Sequence, residues 1–205
     1  MQTKFTYVES QDSRLPYDPR TGFPTQVRQS FDSSLQHLGH IDSYLLHGPR
    51  TRLGLTDADV EVWRTMEQLQ REGRVRFIGV SNVTADQLTL LCNLAEVKPS
   101  FVQNRCFASL GWDRETRKVC ELQGVKYQGF SLLTANVAEL ATPQIRQIAA
   151  AHCASVAQVI FRFAMQLGMI CLTGTTNLQH MRNDLAVSEF ELSDDEVATI
   201  EQISG

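Results

Sequence analysis

Apolar and polar positions along this chain change period repeatedly. Short apolar or alternating runs recur at "QTKFTYV" (2–8), "IDSYLLH" (41–47), "VRFIGVS" (75–81), "FVQNR" (101–105), "VKYQGFSLL" (125–133) and "MICLTG" (169–174), and each predicts a strand. The intervening segments carry helical spacing. Val27, Phe31, Leu35 and Leu38 form one stripe that stops at Gly39; Val60, Trp63, Met66 and Leu69 form another that stops at Gly73. Thr84/Gln87, Ser155/Gln158 and Ser193/Glu196 stand at capping-box spacing, and Pro143 opens a further helix where its missing N–H costs nothing.

Strict strand–helix alternation predicts parallel strands joined by right-handed crossovers, because parallel neighbours need a connection long enough to hold a helix. An open doubly wound sheet and a barrel both satisfy this. No GxGxxG or Walker-type glycine loop follows a strand, which argues against the open sheet. The barrel is favoured by where the polar residues fall, since a (β/α)8 barrel builds its site from strand C-terminal ends. Lys4, His47, Ser81 with Asn82, Gln103, Ser131, and Thr173 with Thr175 each close a predicted strand. Singly, they read as a solvated lysine, a turn histidine, a capping pair or a half-buried amide; their joint arrival points to one rim.

The expected fold is therefore α/β of the (β/α)8 TIM-barrel type, incomplete. About six strand–helix units are present and the first two are missing, with residues 1–205 as a single domain.

Composition narrows the partners. The 19 basic and 23 acidic residues nearly balance and no basic stripe is interleaved with aromatics, so no nucleic acid is expected. No apolar run reaches a membrane span and "MQTKFTYVES" lacks a signal-peptide core, so the expectation is no membrane and a cytoplasmic location. The five cysteines lack ligand spacing, which predicts no metal site; four lie in apolar stretches and read as reduced, buried thiols.

The segments "QTKF", "HIDSYLLHGP", "GRVRFIGVSN", "VKPSFVQNR", "GFSLL" and "LTGTTNLQHMRND" together resemble the aldo-keto reductases, NAD(P)H-dependent oxidoreductases on the (β/α)8 fold. The resemblance implies reduction of a small aldehyde or ketone to an alcohol, with NADP(H) or NAD(H) as cofactor. It assigns Ser81, Asn82 and Gln103 to the nicotinamide carboxamide and Phe130, with Ser131 beside it, to the ring face. Phe130 stands where the family usually has Tyr, and Leu132 where it usually has Pro. Gly174, Thr175, Thr176, His180, Asn183 and Asp184 fall on the adenosine end. Members that prefer NADPH place Lys and Arg there, where this chain has Gly174 and His180, with Arg182 nearby.

Lys4 and His47 match the family's catalytic Lys and His. Its catalytic Asp and Tyr precede the Lys strand and have no counterpart here, so the chain is expected to begin inside the barrel wall. His47 is then the expected proton source, and Tyr7 and Tyr44 are expected to be structural. Unpaired edges at 2–8 and 169–174 would invite self-association. The alternative function is an inactive truncated scaffold that works as a binding or association module. The loop 9–25 is expected to cover either the site or an open edge, and Trp112 to pack in the core.

Overall fold

The computed structural model describes residues 1–204. In order, the elements are β1 (Gln2–Phe5), α1 (Phe23–Leu38), β2 (Ser43–Leu46), α2 (Asp57–Arg71), β3 (Phe77–Ser81), α3 (Ala85–Leu94), β4 (Phe101–Arg105) and α4 (Arg114–Gln123). There follow β5 (Lys126–Phe130), α5 (Val137–Leu140), α6 (Pro143–Ala151), α7 (Val156–Gln166), β6 (Ile170–Leu172), α8 (Leu178–Leu185) and α9 (Asp194–Glu201). The chain folds as two compact units: residues 1–103 with 115–126, and residues 104–114 with those from 127 onward.

In the first unit β1 pairs with β2, β2 with β3, and β3 with β4, all parallel. Leu45 lies opposite Gly79 and Ser81 opposite Gln103. Gly79 is obligatory on steric grounds: a Cβ there would sit 2.5 Å from the Phe101 carbonyl oxygen and 3.2 Å from Leu45 Cγ. Phe5, Phe31, Tyr44, Leu45, Trp63, Met66, Leu69 and Ile78 are buried and form this unit's core.

Helix ends follow the local signals. Gly39 closes α1 at φ 77°, a left-handed conformation that a residue without Cβ adopts freely. Thr84 and Gln87 form the predicted reciprocal cap of α3. The stripes are narrower than expected: Leu35, Leu38 and Val60 are not buried, and α2 buries Val62 instead of Val60. The loop before α1 is pinned to its own unit, Tyr17 Oη donating to the Thr6 carbonyl at 2.7 Å and Gln26 Nε2 to that of Thr21 at 2.6 Å.

In the second unit β5 pairs in parallel with β6, Gln128 opposite Ile170 and Phe130 opposite Leu172. Ser155 with Gln158 and Ser193 with Glu196 cap α7 and α9 as predicted, and Pro143 occupies the first turn of α6. Trp112 is fully buried as expected: it packs on Phe163 with ring centroids 5.0 Å apart, and its indole N–H reaches the Ile200 carbonyl at 3.0 Å. Among the described residues no single helix is long and apolar enough to cross a membrane.

Three expectations are corrected. The first strand stops at Phe5, because the chain turns into a short 3-10 segment at Val8–Ser10. The fifth stops at Phe130, because Ser131 takes φ 57° and cannot continue an extended ladder. Among the cysteines, Cys92, Cys106 and Cys120 are buried and Cys171 half-buried, where burial pushes its thiol up to about 11; Cys153 is exposed on a turn at φ 50°.

Candidate functional site

The ends of β1 to β4 in the first unit hold one hydrogen-bonded cluster. His47 directly follows β2, and its N–H donates to the Phe5 carbonyl at 2.8 Å, which extends the ladder by one residue and holds the imidazole at the strand end. Ser81 ends β3 with its hydroxyl buried, donating to the Gln103 carbonyl at 2.5 Å. Asn82 N–H donates to the same carbonyl at 3.1 Å. The Asn82 side chain then turns back, its Nδ2 donating to the His47 carbonyl at 2.8 Å and to Ser81 Oγ at 3.2 Å.

Asn82 achieves this with φ 54°, a left-handed conformation that short amide side chains tolerate better than other residues. A Cβ at Gly48 would lie 3.4 Å from Asn82 Cβ and 3.5 Å from the Ser81 carbonyl oxygen, so the two loops run in van der Waals contact. The buried strand ends on Ser-Asn because this pair ties the ends of β2, β3 and β4 together.

Lys4 is half-buried on β1, and burial lowers its pKa. His47 is also shifted down, first by burial and then by the Lys4 charge, so its imidazole is neutral at neutral pH. Lys4, His47, Ser81, Asn82 and Gln103 thus meet through electrostatics or direct hydrogen bonds within one unit.

Beside this cluster lies a cleft of about 280 Å³, lined by His47, Gly48, Asn82, Tyr7, Glu9 and Arg50 among others. Asp59 fixes its wall. This buried carboxylate accepts from Tyr7 Oη at 2.8 Å, from Arg50 N–H at 3.0 Å, and from the Thr56 N–H and hydroxyl at 2.8 and 2.7 Å, while closing the capping box of α2. Tyr7 is pushed far up by burial and by this carboxylate, which makes it a poor acid and supports a structural role. Tyr44 is buried, donating to the Val27 carbonyl at 3.1 Å. Sequence reasoning did not single out Asp59 or Arg50. Thr56 and Asp59 do stand at capping-box spacing, and that was the available signal.

The second unit carries the other predicted residues. Phe130 and Ser131 line a cavity of about 310 Å³ together with Leu172, Thr173 and Gly174. A neighbouring cavity of about 290 Å³ is lined by Gly174, Thr175, His180, Asn183 and Asp184. The two share Leu133, Phe161, Thr173 and Gly174, so they are contiguous. Thr176 lines neither of them.

The loop bearing Ser131 is locked by Asn136, fully buried, which accepts from Ala108 N–H at 2.7 Å and donates to the Cys106 and Leu132 carbonyls at 2.9 and 2.8 Å. The Arg105 guanidinium already lies 5.6 Å from the Phe130 ring centroid. Along 173–184, Gln179 Nε2 donates to Asn183 at 2.9 Å, while Thr173 Oγ1 to Asp184 at 3.4 Å and Thr175 Oγ1 to His180 Nδ1 at 3.5 Å are long. No lysine or arginine lines this second cavity among the described residues, and Arg182 is exposed outside it. No group of three or more His, Cys, Asp or Glu side chains able to hold a metal occurs among the described residues.

Comparisons with known proteins bear on the fold and the family. The chain is 32% identical to the uncharacterized oxidoreductase YtbE of Bacillus subtilis over 85% of its own length and 61% of the relative's. It is 31% identical to the glyoxal reductase of the same organism, over 89% of its length and 64% of the relative's. The chain therefore spans about three fifths of the length of these curated relatives. Among solved structures, an aldo/keto reductase from Brucella melitensis superimposes with TM-score 0.82 at 26% identity, over 98% of this chain and 71% of that one. A Bombyx mori aldo-keto reductase in complex with NADP does so with TM-score 0.80 at 24% identity, over 98% and 66%. The fold is thus six strand–helix units of the α/β barrel type found in those structures. The sequence profile of the aldo/keto reductase family matches residues 3–204, and the chain belongs to that family.

Proposed function

We propose that this chain carries the nicotinamide-binding and carbonyl-orienting part of an NAD(P)H-dependent oxidoreductase that reduces a small aldehyde or ketone to an alcohol. The observation that carries this reading is the closed set of hydrogen bonds among His47, Ser81, Asn82 and Gln103 at the strand ends, with Lys4 electrostatically coupled to His47. Relatives that include a glyoxal reductase and a reductase complexed with NADP support the substrate and cofactor classes.

The residues present fit a nicotinamide. Both Asn82 amide hydrogens are engaged by the His47 carbonyl and Ser81 Oγ, which leaves its side-chain oxygen to accept from a carboxamide NH2. Phe130 offers a ring face for stacking once Arg105 moves aside or the opposite face is used. Within the second unit, the contiguous cavities suit the adenosine part of such a cofactor, with Gly174, Thr175, His180, Asn183 and Asp184 lining them. Bound nicotinamide supplies the hydride. The chain's own part is to hold the carbonyl.

His47, kept neutral, donates an N–H hydrogen bond to the carbonyl oxygen; its downward shift makes it a poor reservoir of protons at neutral pH, contrary to the role expected from its unperturbed pKa. Lys4, whose ammonium is a stronger acid than that of an exposed lysine, supplies positive charge and a proton beside it. Self-association through β6, where Ile170 is 41% exposed, accompanies this reading and is checked by light scattering.

The test is a thermal-shift and fluorescence titration of the chain with NADPH and NADH. A saturable response that Asn82→Ala weakens about tenfold, the effect of losing one well-placed hydrogen bond, is the expected result. No saturable response to either cofactor removes the reading and favours the association module.

A further inference from the structure

Arg50 has no part in the proposed cofactor contacts, yet its side chain is held at several points in the cleft that His47 lines. Its guanidinium lies 5.5 Å from the Tyr7 ring centroid and 5.6 Å from that of Phe23, so two aromatic faces fix its direction. Its backbone N–H donates to buried Asp59 at 3.0 Å, which fixes the base of the side chain. An arginine oriented in this way loses little freedom when a ligand arrives. Arg50 and His47 line the same cleft, and Gly48 between them contributes no side chain.

One nitrogen of the Arg50 fork, Nη2, is taken by a Glu9 carboxylate oxygen. The Glu9 side chain is 54% exposed and sits in the short 3-10 segment after β1, so this pair is a surface ion pair of small net stability. Glu9 holds the guanidinium through Nη2 and one carboxylate oxygen only, so it can release to water while an incoming carboxylate takes up the fork at two points. Among the lining residues Thr6, Ser10, Asn82 and Pro49 are neutral, as is His47; the Asp59 carboxylate behind the wall is engaged by Tyr7 Oη, Thr56 and the Arg50 backbone N–H.

We propose that the cleft binds a carbonyl substrate bearing a carboxylate, an oxo acid, with Arg50 as its recognition residue and Glu9 as an internal placeholder for the ligand's carboxylate. The placement of the carbonyl against His47 rests on the reductase reading above; the carboxylate contact does not.

The experiment is calorimetric titration of the chain, without cofactor, with succinic semialdehyde and with butanal, which differ by the carboxylate. Wild type is expected to bind the semialdehyde at least about tenfold more tightly, an advantage that shrinks with added salt. Arg50→Gln abolishes that preference, Arg50→Lys retains about a third of it because the point charge stays and the fork goes, and Glu9→Gln raises semialdehyde affinity about threefold. Equal affinity for the two compounds, no binding of either by wild type, or an undiminished preference in Arg50→Gln overturns the proposal. The Asp59 contact uses the Arg50 backbone and survives these substitutions; should Arg50→Gln still melt early, Arg50→Lys and Glu9→Gln decide. A parallel NADPH titration separates the two claims. Loss of cofactor binding with the carboxylate preference intact strikes the reductase reading alone.

Discussion

The rim formed by β2, β3 and β4 in the first unit and the 173–184 segment in the second differ in how their side chains are held. At the rim, Ser81 is buried and Asn82 is fixed by bonds of 2.8 and 3.2 Å, inside a parallel ladder that leaves little freedom. Along 173–184 most residues are exposed, and side chains bond to near neighbours in the same segment, Gln179 Nε2 donating to Asn183 at 2.9 Å while Thr173 meets Asp184 at 3.4 Å and Thr175 meets His180 at 3.5 Å. The rim's side chains tie three strands together, whereas those of the segment bond only within it. If the proposed cofactor is bound, the ring whose face must be defined would meet the strand-tied rim, as precise positioning favours side chains held by rigid elements.

The sharpest way to break this comparison is to remove the support beneath the rim's neighbour. Asp59→Ala deletes a cap and leaves the buried Tyr7 hydroxyl without its acceptor, and is expected to cost about 2–4 kcal/mol in urea unfolding. A cost under about 0.5 kcal/mol, typical of a plain surface change, contradicts the account of a preformed wall.

Next comes Asn82. Asn82→Gly accepts φ 54° without strain but gives up the bonds to the His47 carbonyl and Ser81 Oγ, so it should lose about 1 kcal/mol of stability and bind nicotinamide cofactor about tenfold more weakly; Asn82→Ala should show the same losses plus about 1 kcal/mol of strain. Equal cofactor affinity in Asn82→Gly and wild type detaches the rim from the cofactor.

The pH dependence tests whether Lys4 and His47 truly meet. The folded state holds the imidazole below its ordinary 6.5, so the unfolded chain binds more protons just below that pH. This contribution to stability is complete above pH 6.5 and is lost as pH falls through 6.5 toward the folded value. His47→Gln should flatten that slope. In an NMR titration, Lys4→Met should move the His47 midpoint upward, since the Lys4 charge is the second cause of its depression; an unmoved midpoint separates the two groups.

The smallest effects are expected in the second unit. Asp184→Asn and Thr173→Val should change stability by less than about 0.5 kcal/mol and cofactor affinity by about two- to threefold. A tenfold loss there would reverse the ranking of the two regions.

Much of the architecture was legible in advance. All six strands appear where the apolar runs predicted, three predicted capping boxes and the Pro143 start are present, and the strand-end residues of the first unit do come together. Helix caps and strand periods are written in residues a few positions apart, and neighbouring positions suffice to read them. Three features were hidden. Asp59 serves Tyr7, 52 positions away, as well as its own helix cap; Asn136 ties loops about 30 residues apart; and Arg50 is clamped by Tyr7 and Phe23 from separate segments.

The sequence by itself determined the alternation of strand and helix, the ends of those elements, and which polar types close each strand. Only the tertiary structure decided that His47 is held neutral, that Ser81 and Asn82 bind β2 and β4 together, and that Arg50 faces the cleft beside them. Period and capping are local properties of a chain, while burial, charge coupling and ring stacking exist only between segments that folding has brought into contact.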